Sequence, residues 1–279
     1  MTTLTATAAF WQGANRFYIR GIDYQPGGSS AGLDPLADSK VCLRDIAKFK
    51  QLGVNTIRVY MVDNSKKHDE CMGALADAGI YVVIDANNPG YSLHRFVPGP
   101  SYNAQYLQSV FATIDEFARY DNTLAFFSGN EVINDNVTST VSAKYVKAVT
   151  RDMRQYLSMR KLRKVPVGYS AADVAVNRME QAQYFNCGAD DERSDFFAFV
   201  RFGLPPLGTR LTVVRTTIPG ATPISRLRSG IKRSKTLPVT ASLSCKCFMA
   251  SWCSLLTILA SPSMAAQLMA VILERSRLS

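Results

Sequence analysis

The chain has 279 residues, of which 47% are hydrophobic, and a formal net charge of +10. That length holds one large α/β barrel or two smaller domains, with apolar residues enough for a sizeable core. The charge invites a nucleic-acid or anionic-surface reading, but its distribution excludes one for most of the chain: residues 1–200 carry 21 Lys and Arg against 21 Asp and Glu, and residues 201–279 carry 11 against the single acid Glu274.

In chain order, MTTLTATAAFW shows neither a basic segment nor a clear apolar one, so no secretory signal is read there; this points to a cytosolic protein or to a start further upstream. FYIRGIDYQ (17–25) reads as a first strand. Gly28–Gly32 fits G-x-S-x-G, but Leu33-Asp34-Pro35 follows where a nucleophile elbow needs a helix, so a serine hydrolase is not favoured. Lys40–Leu52 has a 3.6-residue rhythm in which Ile46, Phe49 and Leu52 share a face, with Asp38 or Ser39 to cap it and Gly53 to end it. TIRVYM (56–61) is a second strand, Ser65–Ala78 a helix and YVVIDAN (81–87) a third strand. Ala104–Arg119 is a helix, TLAFFSGNE (123–131) a strand and Val141–Leu157 another helix. VPVGYSA (165–171) and DFFAF (195–199) complete six strands alternating with helices.

Six βα steps without a G-x-G-x-x-G turn predict a (β/α)8 TIM barrel over a dinucleotide-binding fold, with strands 1–6 recognisable and 7–8 unmatched. In such barrels chemistry sits at the C-terminal strand ends. Here those ends read Tyr24-Gln25, Tyr60, Asp85-Ala86-Asn87, Asn130-Glu131 and Tyr169-Ser170. Amides, phenols and carboxylates on one rim suit an uncharged, hydroxyl-rich ligand, a carbohydrate before a phosphate. Glu131 ends an apolar run, where a carboxyl of raised pKa can protonate a glycosidic oxygen, and Asn130 can hold a sugar hydroxyl. The plainer alternative is a helix cap or an ion pair.

The other features carry structural readings. His94 lies in a Pro/Gly loop as a hydrogen-bonding residue, Tyr102 and Tyr106 belong to core or rim, and Arg160–Lys164 complements a helix C-terminus. With two histidines and no C-x-x-C among six cysteines, no metal site is read, and no motif implies a cofactor. Cys42 and Cys71 are either a disulfide or two buried thiols. Asn136-Val137-Thr138 is a glycosylation sequon, meaningful in a secreted chain.

RFYIRGIDYQPGG, DPLAD, CLRDIAKFKQLGVNTIRVYMVD, DECMGALADAGIYVVID, FFSGNEVIND and YSAADV together resemble the fungal β-1,3-glucanosyltransferases of glycoside hydrolase family 72, from about Phe10 to Phe199. The resemblance implies a barrel over 10–199 and a retaining transglycosylase that cleaves a β-1,3-glucan and passes it to another glucan chain. By match to the family motif Glu131 is the catalytic acid/base, and Gln25, Tyr60, Asp85 and Asn130 occupy substrate-binding positions. It also implies a Cys42–Cys71 disulfide, a half-cystine at Cys187 and a cell-wall setting on the outer face of the plasma membrane through a glycolipid anchor. Neither a signal peptide nor an anchor signal is visible here. The partner is a β-1,3-glucan, not a nucleic acid.

After DFFAF the resemblance stops. The family's S-E-Y/F-G-C motif, whose glutamate is the nucleophile, is absent from VRFGLPPLGTR and from the residues beyond it, and Glu274 in AVILERS has no matching context. Residues 201–279 lack Asp, Asn, Tyr and His, and Leu, Ser, Arg and Thr make up 39 of the 79. That composition lacks the usual surface carboxylates and cap residues. It predicts an off-frame or mis-spliced segment in place of a native domain, and hence irregular structure after residue 200, with a functional basic tail as the rival reading. The uncharged run 247–273 is long enough for a bilayer, but Pro262 and Gln267 weaken that reading. The alternative to an active enzyme is a truncated, inactive barrel that retains at most glucan binding.

Overall fold

The computed structural model describes residues 2–4, 10–28, 31–201 and 210–214. Six parallel strands form the barrel wall: β4 (Gly21–Asp23), β5 (Thr56–Val59), β6 (Tyr81–Asp85), β7 (Thr123–Asn130), β8 (Val167–Ala172) and β9 (Phe196–Arg201), each paired with the next. The expected six strands are therefore present in the expected order, in a sheet curled with its helices outside. A further strand, β10 (Arg210–Val214), pairs antiparallel with β9 and approaches β4. These five residues of the basic segment are regular, against the expectation of irregular structure. Their direction also departs from a barrel step. A parallel partner needs a crossover of about a dozen residues or more, and only eight separate Arg201 from Arg210. Residues 202–209 and 215–279, with the 247–273 run, lie outside the described residues.

FYIRGIDYQ is not one strand. Only its first residue, Phe17, belongs to β3 (Asn15–Phe17), which joins β1 (Thr2–Leu4) and β2 (Phe10–Gln12) in a separate antiparallel sheet, and Gly21–Asp23 of it form β4. Asn55 makes the break. Its side-chain amide donates to the Tyr18 carbonyl at 2.9 Å, and its Oδ1 accepts from the Arg20 N–H at 2.8 Å. Those main-chain groups are thus lost to a continuous ladder. Phe10 of β2 then plugs the bottom of the barrel against Val83, Leu124, Ala125, Phe127, Phe196 and Ala198. The alternate residues of the same strands, such as Val82, Ile84, Phe126 and Phe197, pack outward against the helices in the larger core.

Helix α1 (Ser39–Gln51) starts where Asp38 caps it, its carboxylate accepting from the Val41 N–H at 3.1 Å, and ends before Gly53 at φ +67°. Cys42, Ile46 and Phe49 face inward, but Leu52, placed on that face from the sequence, is 70% exposed because the helix has already ended. Helix α2 (Asp69–Asp77) begins later than Ser65, since Ser65 closes a turn onto the Asp63 carboxylate. Cys42 and Cys71 form a disulfide between α1 and α2, with Cα atoms 5.9 Å apart. A short helix α3 (Pro98–Ser101) precedes α4 (Ala104–Ala118).

Helix α5 (Asn136–Met159) is longer than the pattern suggested, because Asp135 and Thr138 form a capping box upstream of the apolar rhythm. The Asn136 side chain, and with it the sequon, lies outside what is described. Helix α6 (Arg178–Asn186) was not legible; it buries Gln181, Ala182 and Phe185. Cys187 follows it, buried, and its carbonyl accepts from Lys147 Nζ at 2.6 Å. Tyr106 is core, and Tyr102 donates to the buried Asp152. In the basic cluster, Arg163 donates to the carbonyls of Tyr120 and Thr123 at 2.8 Å each, a structural tie between α5 and the start of β7.

Candidate active site

The C-terminal ends of β4 to β8 bring Asp23, Arg58, Tyr60, Asp85, Asn130, Glu131 and Ser170 to one rim. Arg58 is the centre of the group. Its side chain is 1% exposed and forks onto Asp85, Nε to Oδ1 at 2.9 Å and Nη2 to Oδ2 at 2.8 Å. Nη2 also donates to Asn130 Oδ1 at 3.0 Å. The guanidinium lies over the rings of Phe127 at 4.5 Å and Tyr60 at 4.9 Å. A planar fork satisfies this geometry in a way a lysine cannot. Burial pushes the Asp85 carboxyl up, and the Arg58 charge opposes it. Asp85, expected to bind substrate, is thus committed to Arg58.

Asn130 is fixed by two donors on one atom. Its Oδ1 accepts from Arg58 and, at 2.9 Å, from the Ser170 hydroxyl. That assignment leaves its Nδ2 donors as the groups for a ligand oxygen.

Glu131 follows immediately, half-buried, with φ +48°. For a residue with a Cβ the left-handed region costs on the order of 1–2 kcal/mol, so the position is held from outside. Its N–H donates to the Ser170 carbonyl at 2.8 Å, and its own carbonyl accepts from Arg95 Nη2 at 2.7 Å. Burial pushes the Glu131 carboxyl up from the ordinary glutamate range, while the charges of Arg58 and Arg95 pull the other way. A carboxyl held at a strand lip with its acidity weakened by burial is the kind of group that can give a proton up and take one back.

Tyr60 and Asp23 face each other beside Arg58. Burial raises the Tyr60 hydroxyl, and the Asp23 charge adds to that. Asp23 is raised by burial first, with Arg58 and the Tyr60 hydroxyl opposing. Both Asp23 oxygens are buried, and the Tyr60 hydroxyl comes close enough to act on them without meeting full hydrogen-bond geometry. Gln25 spends its amide on the main chain: Nε2 donates to the Leu33 carbonyl at 2.6 Å, and Oε1 accepts from the Met61 N–H at 3.3 Å.

The structure brings Tyr60, Asp85, Asn130 and Glu131 to one rim, and sets Gln25 as a brace between loops. Sequence reasoning missed Arg58, Asp23 and Arg95. Asp23 stands at a strand end and was open to discovery; Arg58 sits inside a strand, where charge usually means a solvated face. His94, as expected, works within its loop: its N–H donates to Ser101 Oγ at 2.8 Å and its Nδ1 accepts from Val97 N–H at 3.0 Å.

Comparison with known proteins places the chain in a family. A family model described as glucanosyltransferase, glycoside hydrolase family 72, matches residues 3–204. The chain is 70% identical over 191 residues to 1,3-beta-glucanosyltransferase gel1 of Aspergillus fumigatus, covering 68% of this chain and 42% of that protein. It is 58% identical over 187 residues to 1,3-beta-glucanosyltransferase GAS5 of Saccharomyces cerevisiae, covering 67% of this chain and 38% of that one. The crystal structure of Saccharomyces cerevisiae Gas2p in complex with laminaritriose and laminaritetraose superposes with a TM-score of 0.67 at 39% identity, over 72% of this chain and 45% of that chain. The matched part is thus less than half the length of each of these relatives. Within that span, the rim that holds Asn130 and Glu131 at the end of β7 belongs to a known kind of barrel: the chain is a member of the glucanosyltransferase family, glycoside hydrolase family 72.

Proposed function

We propose that this chain carries the acid/base half of a retaining β-1,3-glucan transglycosylase. The observation that supports the reading most is Glu131: a half-buried carboxyl at the lip of β7, next to an Asn130 whose amide oxygen is occupied by Arg58 and Ser170. Glu131 protonates the leaving glycosidic oxygen, then takes the proton from the incoming acceptor hydroxyl. Asn130 donates through Nδ2 to a hydroxyl of the donor sugar. Tyr60 and Asp23 flank the position where charge develops. A retaining site needs a second carboxylate about 5–5.5 Å from the first, which attacks the anomeric carbon. The family motif that supplies it is absent from the sequence after Phe199. The chain as it stands is accordingly read as able to hold glucan but not to turn it over.

The relatives' names and the laminari-oligosaccharides bound to Gas2p support the substrate class. A cell-wall setting with a glycolipid anchor belongs to the same reading. Among the described residues no helix is long and apolar enough to cross a membrane. Calorimetric titration of the chain with laminaritetraose tests the substrate class. Heat of binding that is lost in Asn130→Ala is expected, and equal heat with the α-1,4-linked maltotetraose contradicts it.

A further inference from the structure

Glu131 is one of two non-glycine residues with positive φ among the described residues, and the other, Lys161, ends a helix. A left-handed residue at a strand end must be held on both sides of its α-carbon. On the N-terminal side the holder is the barrel wall, through the Ser170 carbonyl of β8. On the other side the holder is a loop. Arg95, from the segment between β6 and α3, reaches the Glu131 carbonyl with Nη2 at 2.7 Å.

That loop is itself anchored. Leu93 is buried, the His94 N–H donates to Ser101 Oγ at 2.8 Å, and Ser142 Oγ of α5 donates to the Arg95 carbonyl. Arg95 therefore reaches Glu131 from a braced main chain.

We propose that Arg95 is a positioning residue for Glu131: it holds the main chain of the acid/base residue in the left-handed turn that sets its carboxylate at the rim. This rests on the reading of Glu131 as the acid/base. The guanidinium has a second consequence. The groups that face the Glu131 carboxyl are Arg58 from β5, Arg95 from the loop and the uncharged Tyr169 from β8. Burial raises the carboxyl, and the two arginines restrain that rise. Without Arg95 only Arg58 restrains it.

The test uses the full chain and no glucan, so it is independent of whether the substrate class is right; laminaritetraose binding by the unaltered chain tests that separately. Amide hydrogen exchange is measured at Glu131, and the carboxyls are titrated by NMR in protein carrying 13C at glutamate Cδ. Glu131 and Glu116 are assigned by Glu131→Gln and Glu116→Gln, with Glu116 as the reference for an intact fold. In Arg95→Gln and in Arg95→Met, exchange at the Glu131 amide becomes roughly fivefold to tenfold faster, the loss of about one hydrogen bond. The Glu131 midpoint moves up in both, and Arg95→Lys brings it back toward the unaltered value. Unchanged exchange or an unchanged midpoint in both neutral variants overturns the proposal. Loss of the Glu116 reference in both overturns it as well, since Arg95 would then be building the barrel instead of holding one carbonyl.

Discussion

The Ser170 hydroxyl donates to the Asn130 amide oxygen at 2.9 Å, while the Ser170 carbonyl accepts the N–H of Glu131 at 2.8 Å. One residue of β8 therefore fixes two consecutive residues of β7's end. The hydroxyl is the separable part. In Ser170→Ala the Glu131 tie survives, and the Asn130 oxygen keeps only Arg58. Loss of one such bond, about 1 kcal/mol, corresponds to laminaritetraose affinity falling roughly threefold to tenfold by calorimetry, with little change in melting temperature. Unchanged affinity would show that the Asn130 amide needs no second donor.

Arg58 is a different case, because its partner is buried. Arg58→Met leaves the Asp85 carboxylate at 2% side-chain exposure without its counter-charge. Breaking a buried pair from one side typically costs about 3–5 kcal/mol. Urea unfolding of this variant is expected to show that loss. Arg58→Met, Asp85→Leu together should recover much of it, which a simple packing defect at Arg58 would not do.

The Cys42–Cys71 disulfide closes a loop with a sequence separation of 29. In the chain-entropy picture such a closure contributes about 3–4 kcal/mol. Paired Cys42→Ser, Cys71→Ser substitution is expected to lower unfolding stability by that order, and reductant should then have no further effect on the variant's melting curve. A reductant effect as large as in the parent would place the stabilising bridge elsewhere.

His68 gives the stability a pH dependence. Its side chain is fully buried between Asp34, 2.9 Å from Nε2, and Glu116, 2.8 Å from Nδ1. Burial opposes a charge there, but the two carboxylate hydrogen bonds outweigh it and hold the imidazole above its ordinary 6.5. A histidine raised in the folded state contributes stability that is complete below its unfolded value and is lost as pH rises through the folded value. Urea midpoints should therefore fall as pH rises above about 6.5, and the slope should flatten in His68→Gln. A slope equal in both proteins would assign it to other groups.

Much of this architecture was legible because the strands are apolar runs and the helices are periodic. YVVID and TLAFF cannot pair without burying both faces, and the rim residues then follow from where each run ends. What stayed hidden depends on contacts between distant segments. FYIRGIDYQ reads as one strand until Asn55 takes the main-chain groups of Tyr18 and Arg20. Arg58 looks like a solvent-face residue until Asp85, Asn130 and Phe127 surround it. Leu52 keeps the helical rhythm one residue past the helix's end. Helix α6 has no apolar stripe to announce it, and the Asp135–Thr138 capping box, which was there to be read, would have placed the start of α5 correctly.

In the proposed function Glu131 is one half of a carboxylate pair whose other half the sequence after Phe199 does not supply. Transfer on a reduced laminari-oligosaccharide is measured for three proteins: the chain as it stands, the chain continued after Phe199 with the corresponding residues of gel1, and that completed protein carrying Glu131→Gln. No transfer is expected from the first, transfer from the second, and a loss of several orders of magnitude in the third, as for any member of a cooperating catalytic set. Transfer by the chain as it stands, or undiminished transfer by the Glu131→Gln protein, would remove Glu131 from the acid/base role and turn attention to Asp23 and Asp85.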